Sequence, residues 1–128
     1  MSYNITRKTR GDFDATVQRV KEALKSEGFG VLTEIDVAGT LKAKIGKDFR
    51  PYRILGACNP NYAFEALSEE PHIGVMLPCN VIVQRFDNGE VEVSSIDPAT
   101  AMQTVGNQQL AGVAAQVRDA LTRVIDSV

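Results

Sequence analysis

Residues 75–96 read VMLPCNVIVQRFDNGEVEVSSI, and this stretch decides the fold class. The apolar run at residues 81–83 predicts a central strand that is buried on both faces. Asp87-Asn88-Gly89 is a hairpin signal, and its Asn-Gly pair predicts a type I′ turn. Residues 90–96 alternate apolar and polar side chains and predict the return strand. The chain therefore contains an antiparallel sheet.

Three further strands are predicted on the N-terminal side of this hairpin. They cover about residues 3–8, residues 31–37 and residues 51–58, and the first is expected at an edge of the sheet. In the second, strict alternation puts Glu34 and Asp36 on one face, which we expect to be the open, solvated face of the sheet. Residues 38–49 fit either a short helix or a loop, because Gly39 and Gly46 flank the only apolar pair at helical spacing.

Two helices and one shorter helix complete the pattern. Asp12 caps a helix that ends at Gly28 and carries an apolar stripe from Phe13 to Leu24. Asn59 and Pro60 begin a short helix over residues 60–68, and helical spacing from Gln108 to the end predicts a long C-terminal helix. The resulting order, β-α-β-β-β-β-α, indicates one α+β domain over residues 1–128. Its two layers are an antiparallel sheet of about five strands and helices packed on one face.

Composition and motifs exclude several classes of function. The 128-residue chain has 14 basic and 16 acidic side chains and a net charge of -2, so nucleic acid is not an expected partner. The chain has neither a membrane-spanning run nor a signal-peptide pattern, which predicts a cytoplasmic protein without a membrane partner. The Gly-x-Ser-x-Gly, phosphate-loop and dinucleotide motifs are absent. These patterns imply no cofactor and specify no reaction.

The two cysteines form the most suggestive pattern. Cys58-Asn59 follows one predicted strand and Cys79-Asn80 begins the next, so the two motifs meet if the strands are antiparallel neighbours. Cys58 also directly precedes a predicted helix N-terminus, which favours a thiolate. Soft thiolates would select copper(I) or zinc, although there is no Cys-x-x-Cys spacing. Two buried core thiols explain the same residues without any chemistry.

Other polar residues could join such a cleft. Glu34 and Asp36, two apart on a strand, are close enough to bind a cation or to raise one another's pKa. Two solvated carboxylates on the open face of the sheet are the simpler explanation. Tyr52, after Pro51, is expected to line the same cleft, whereas Asn59 and Asn80 are expected to support it as cap and turn residues. His72 is the single histidine, most simply an exposed loop residue.

Four segments together resemble the prokaryotic domain-of-unknown-function 302 (DUF302) family. The segments are GFGVLTEID at residues 28–36, PYRILGACNP at 51–60, LPCNVIV at 77–83 and Asp97-Pro98. The resemblance implies a curved antiparallel sheet of the kind found in TATA-box-binding-protein-like domains, and a homodimer. The family pattern includes Glu34, Asp36, Tyr52, Cys58, Asn59, Pro60, Pro78, Cys79 and Asn80. It implies no reaction, and DNA binding does not follow because the chain is acidic.

Three functions remain open from the sequence. The first is a module that binds a small ligand or a soft metal ion in a cleft around the two Cys-Asn motifs. The second is a thiol-dependent redox or sulfur-transfer enzyme, with Cys58 as nucleophile and Cys79 as resolving thiol. The third is a dimeric interaction domain without catalysis, in which both cysteines belong to the core. The sequence favours a binding module over an enzyme.

Overall fold

The computed structural model describes residues 2–128 as a five-stranded antiparallel sheet with helices. Its strands lie in the order β1-β5-β4-β3-β2, which confirms the predicted fold class. The strands are β1 (Asn4–Arg10), β2 (Gly30–Asp36), β3 (Tyr52–Cys58), β4 (Cys79–Arg85) and β5 (Glu90–Ile96). The helices are α1 (Phe13–Ser26), α2 (Val37–Ile45), α3 (Pro60–Glu69), α4 (Pro98–Val105) and α5 (Ala111–Asp126). Short 3₁₀ turns cover Ile73–Met76 and Gln108–Leu110.

The main core lies between one face of the sheet and helices α1 and α5. The apolar stripe predicted on α1 is buried there, including Val20 and Leu24, both fully inaccessible to solvent. Leu55 of β3 and Val81 of β4 lie opposite each other in the register and face this core. The sheet and the two long helices therefore form the predicted two layers.

A second, smaller cluster lies beside the main core. Its buried members are Ala66 of α3, Ile73 of the first 3₁₀ turn and Leu110 of the second, and Met102 of α4 packs against them. We call α3, α4 and the two 3₁₀ turns the helical cap. Asp97 fixes one part of this cap, because its carboxylate accepts hydrogen bonds from two backbone N–H groups at the start of α4 and from Arg118 Nε, at 3.0 Å.

Several predicted local features differ in the structure. The sequence of residues 38–49 fits either a helix or a loop, and the structure has a helix, α2, at Val37–Ile45. Asp36 caps its start, Gly46 ends it in a left-handed conformation, and Val37 therefore belongs to α2 rather than to the second strand. The sequence analysis missed α4, because residues 98–105 lack a clear apolar stripe. The hairpin turn is not type I′, because Gly89 has a positive φ but Asn88 does not. It is a three-residue connection closed by Phe86 and Glu90.

The faces of strands β2 and β4 also differ from expectation. A β-bulge lies between Val31 and Thr33, so an extra residue interrupts the alternation of β2. Beyond it, Glu34 lies opposite Leu55, on the helix side of the sheet rather than on the open face. The central strand β4 is fully buried on the face of Val81 and Val83, whereas on its other face Gln84 is buried and Ile82 is half-buried.

Candidate functional site

An apolar cavity of about 300 Å³ separates the helical cap from the main core. Its wall contains the ends of β3 and β4, one side of α3, part of α4 and the first turns of α5. The lining side chains are mainly apolar, and no acidic, basic or histidine side chain is among the described residues that form it. Leu32 and Leu67 line the cavity while being 67% and 44% exposed, which places its mouth between them.

Both cysteines line this cavity as half-buried free thiols. The register of β3 and β4 explains their proximity, because Ala57 lies directly opposite Cys79 and Cys58 is the next residue along β3. Antiparallel pairing therefore brings both cysteines, but not Asn80, to this cavity. What the thiols do there remains a prediction.

Asn59 belongs to the cavity wall and also starts the helix above it. Its Oδ1 accepts hydrogen bonds from the backbone N–H groups of Asn61 and Tyr62, at 3.1 and 3.4 Å, and Pro60 occupies the first turn. Gly28 lies against the Asn59 amide with a φ of 84°, and a Cβ there would approach Nδ2 within 2.9 Å. The turn after α1 thus holds Asn59, and with it the start of α3, against the sheet.

The electrostatics of the cavity favour neutral groups. Burial raises the pKa of the Cys79 thiol to about 11, and the neighbouring Cys58 adds to the rise. Cys79 therefore carries its proton at neutral pH and presents a weak S–H donor to the cavity. A resolving thiol attacks as a thiolate, so the raised pKa of Cys79 would slow that predicted step at neutral pH.

We expect Cys79 to react slowly with alkylating reagents up to strongly alkaline pH. In a Cys58→Ser variant, which leaves one thiol, the alkylation rate should still rise above pH 10. Burial, the larger cause of the raised pKa, remains in this variant, although the smaller contribution of Cys58 is lost. The same thiol makes the free energy of unfolding fall as pH rises from about 9 to 11, since the unfolded chain loses its proton first. A rate that levels off near pH 10, as expected for the same variant unfolded in urea, would contradict this environment.

Tyr52 and Asn80, both predicted for the cleft, do not line the cavity. Tyr52 begins β3, at the opposite end of that strand from Cys58, and its ring centroid lies 6.0 Å from that of Phe49. Asn80 is exposed and lies opposite Gly56, on the face of the sheet away from the helices. Successive side chains of β4 lie on opposite faces of the sheet, so Asn80 and its neighbour Cys79 are on different faces.

The two predicted acidic residues also lie elsewhere. Glu34 pairs with Lys21 of α1 and with Arg53 of β3, and the hydrogen bond from Lys21 is the main reason why its pKa is lowered. Asp36 accepts a hydrogen bond from the backbone N–H of Gly39, at 3.0 Å. Both carboxylates therefore have structural partners: Glu34 has two basic side chains, one on α1 and one on β3, and Asp36 has the start of α2. The expected shared cleft does not form around them.

The remaining polar candidates do not assemble a metal centre. His72 is exposed, with Nδ1 3.8 Å from a carboxylate oxygen of Glu70. Within residues 2–128, no three His, Cys, Asp or Glu side chains are grouped so that they could hold a metal ion. Among the helices of those residues, none is both long enough and apolar enough to cross a membrane.

Several cavity residues were not identified from the sequence. Met102 lines the cavity from α4, a helix the sequence analysis missed, and Ala63 lines it from α3. Ala114 and Val117 lie on the predicted apolar stripe of the last helix. The helical spacing of that stripe indicated burial, but it could not show that the helical cap leaves the stripe partly uncovered.

Comparison with known proteins agrees with this architecture. The sequence model of a protein family, the domain of unknown function DUF302, matches residues 5–128. The chain belongs to the DUF302 family. A crystal structure of an uncharacterised conserved DUF302 protein from Bacillus stearothermophilus superimposes with a TM-score of 0.92. That protein is 30% identical, over 99% of this chain and 98% of its own. No functionally curated protein matches this DUF302 chain.

Proposed function

We propose that this DUF302 protein binds a small, largely apolar organic molecule in the cavity between the helical cap and the main core. The observation that carries the proposal is the cavity itself, about 300 Å³ in volume and lined mainly by apolar side chains. Binding sites for small molecules are typically concave and largely apolar, with a few placed polar groups. Here Cys58, Asn59 and Cys79 supply such groups.

The binding energy would come mainly from removing apolar surface from water. Each square ångström of apolar surface that leaves water contributes about 25 cal/mol. The half-exposed leucines at the mouth, Leu32 and Leu67, would lose contact with water when a ligand covers them. The thiols would orient the ligand by weak hydrogen bonds and by contacts of polarisable sulfur. An organic ligand fits this lining better than the zinc ion of the sequence-based hypothesis, since within residues 2–128 no third His, Cys, Asp or Glu side chain is grouped with the two thiols.

Titration with N-phenyl-1-naphthylamine, an uncharged apolar fluorophore, tests the proposal. We expect saturable binding with a blue-shifted rise in emission, because the dye moves from water to an apolar site. At a free concentration 100 times the Kd, the dye should raise the free energy of unfolding by about 2.7 kcal/mol, which thermal unfolding would record as a higher Tm. A non-saturable signal with no change in Tm would contradict the proposed function.

A further inference from the structure

We infer that the ligand of this cavity is an uncharged amphiphile, whose apolar body fills the cavity and whose neutral polar group passes Met102 into an adjoining pocket. The inference rests on the proposed function and names the class of ligand. Two observations carry it. Within residues 2–128, no charged side chain lines the cavity or the adjoining pocket, and Met102 and Ala114 line both of them.

The lining excludes a charged ligand on energetic grounds. A carboxylate or an ammonium group that enters an apolar site loses its hydration, and this loss is costly unless a charged or hydrogen-bonding partner replaces the water. Asp97, which directly precedes the lining residue Pro98, is already paired, because it accepts a hydrogen bond from Arg118 Nε at 3.0 Å. Cys79, as a neutral thiol, offers no charge either.

The adjoining pocket explains where a neutral polar group would lie. The adjoining pocket has a volume of about 380 Å³, and Met102 and Ala114 line both this pocket and the apolar cavity. Met102 and Ala114 therefore lie where the two spaces meet, and the unbranched side chain of Met102 adapts easily to a neighbour's shape. On the far side, the exposed side-chain amides of Gln103 and Gln108 present neutral donors and acceptors.

Competition among three octyl compounds tests the charge preference. Octan-1-ol, octanoate and octylammonium share one apolar chain, and each is added at pH 7.5 to the protein saturated with N-phenyl-1-naphthylamine. We expect octan-1-ol to displace the dye at a concentration about tenfold lower than either ion, or lower still. Equal or better displacement by an ion would overturn the inference, while saturable dye binding would leave the proposed function standing. Failure of the dye itself to bind would instead refute the proposed function.

A charge introduced in the adjoining pocket tests the position of the polar group. In Gln108→Lys, octanoate should gain affinity by up to about fivefold, the size of an exposed ion pair, while octan-1-ol changes little. Gln116→Lys, at an exposed position of α5 that lines neither space, is the matched control and should leave both affinities unchanged. An octanoate affinity that is the same in Gln108→Lys and Gln116→Lys would show that the polar group lies elsewhere and would overturn the inference.

Discussion

Ala63→Phe is expected to abolish the binding of N-phenyl-1-naphthylamine. Ala63 lies on α3 and lines the cavity, so an aromatic ring in its place would occupy the space that the ligand needs. The same ring should raise the free energy of unfolding of the ligand-free protein by up to about 2 kcal/mol, because it buries apolar surface in an existing void. Fluorescence titration and urea unfolding measure the two effects on one sample.

The matched control is Ala43→Phe, an exposed position of α2 that does not line the cavity. It introduces the same ring into a helix, and we expect unchanged dye affinity and a change in stability within about 0.5 kcal/mol. Wild-type affinity in a folded Ala63→Phe protein would place the dye outside the cavity and would contradict the proposed function.

Asp97→Ala is expected to lower the free energy of unfolding by about 2–3 kcal/mol. The Asp97 carboxylate is buried, caps α4 through the backbone N–H groups of Ala99 and Thr100, and accepts a charged hydrogen bond from Arg118. Its removal also loosens α4, which carries Met102 into the cavity wall. Dye affinity should therefore fall together with stability, and urea unfolding with an unchanged m-value records the loss.

Two other substitutions separate the hydrogen bonds by which Asp97 caps α4 from its ion pair with Arg118. Asp97→Asn keeps an oxygen that can accept from the backbone but loses the ionic contact, so its cost should be about half as large. Asp87→Ala removes an exposed aspartate from the hairpin loop at the other end of β5 and should change stability by no more than about 0.5 kcal/mol. If Asp97→Ala costs no more than Asp87→Ala, the carboxylate does not hold the helical cap in place.

The sheet was predictable because strand and helix periodicity are local signals. The apolar stripe of α1, the cap at Asn59 and the hairpin at residues 87–89 each depend on a few neighbouring residues, and each lies where the sequence indicated. The bulge at Leu32 was not predictable in this way. It depends on pairing with β3, and it alone moves Glu34 to the helix side of the sheet.

The candidate site was predicted only in part for a similar reason. Antiparallel pairing of two sequence motifs sufficed to bring Cys58 and Cys79 to one cavity. Tyr52 was expected beside them, yet the length of β3 separates Tyr52 from Cys58. Met102 and Ala114 also line this cavity. They are ordinary apolar residues, and their position follows from the packing of the helical cap and not from any local pattern.

The most direct test of the central claim is to locate the bound dye by methionine-methyl NMR. The chain has three methionines; Met102 lines the cavity, whereas Met76 packs in the smaller cluster without lining it. On titration with N-phenyl-1-naphthylamine, the Met102 methyl signal should shift more than that of Met76 and saturate at the Kd measured by fluorescence. A Met102 signal that stays in place at dye concentrations that saturate the fluorescence would contradict a ligand site in this cavity.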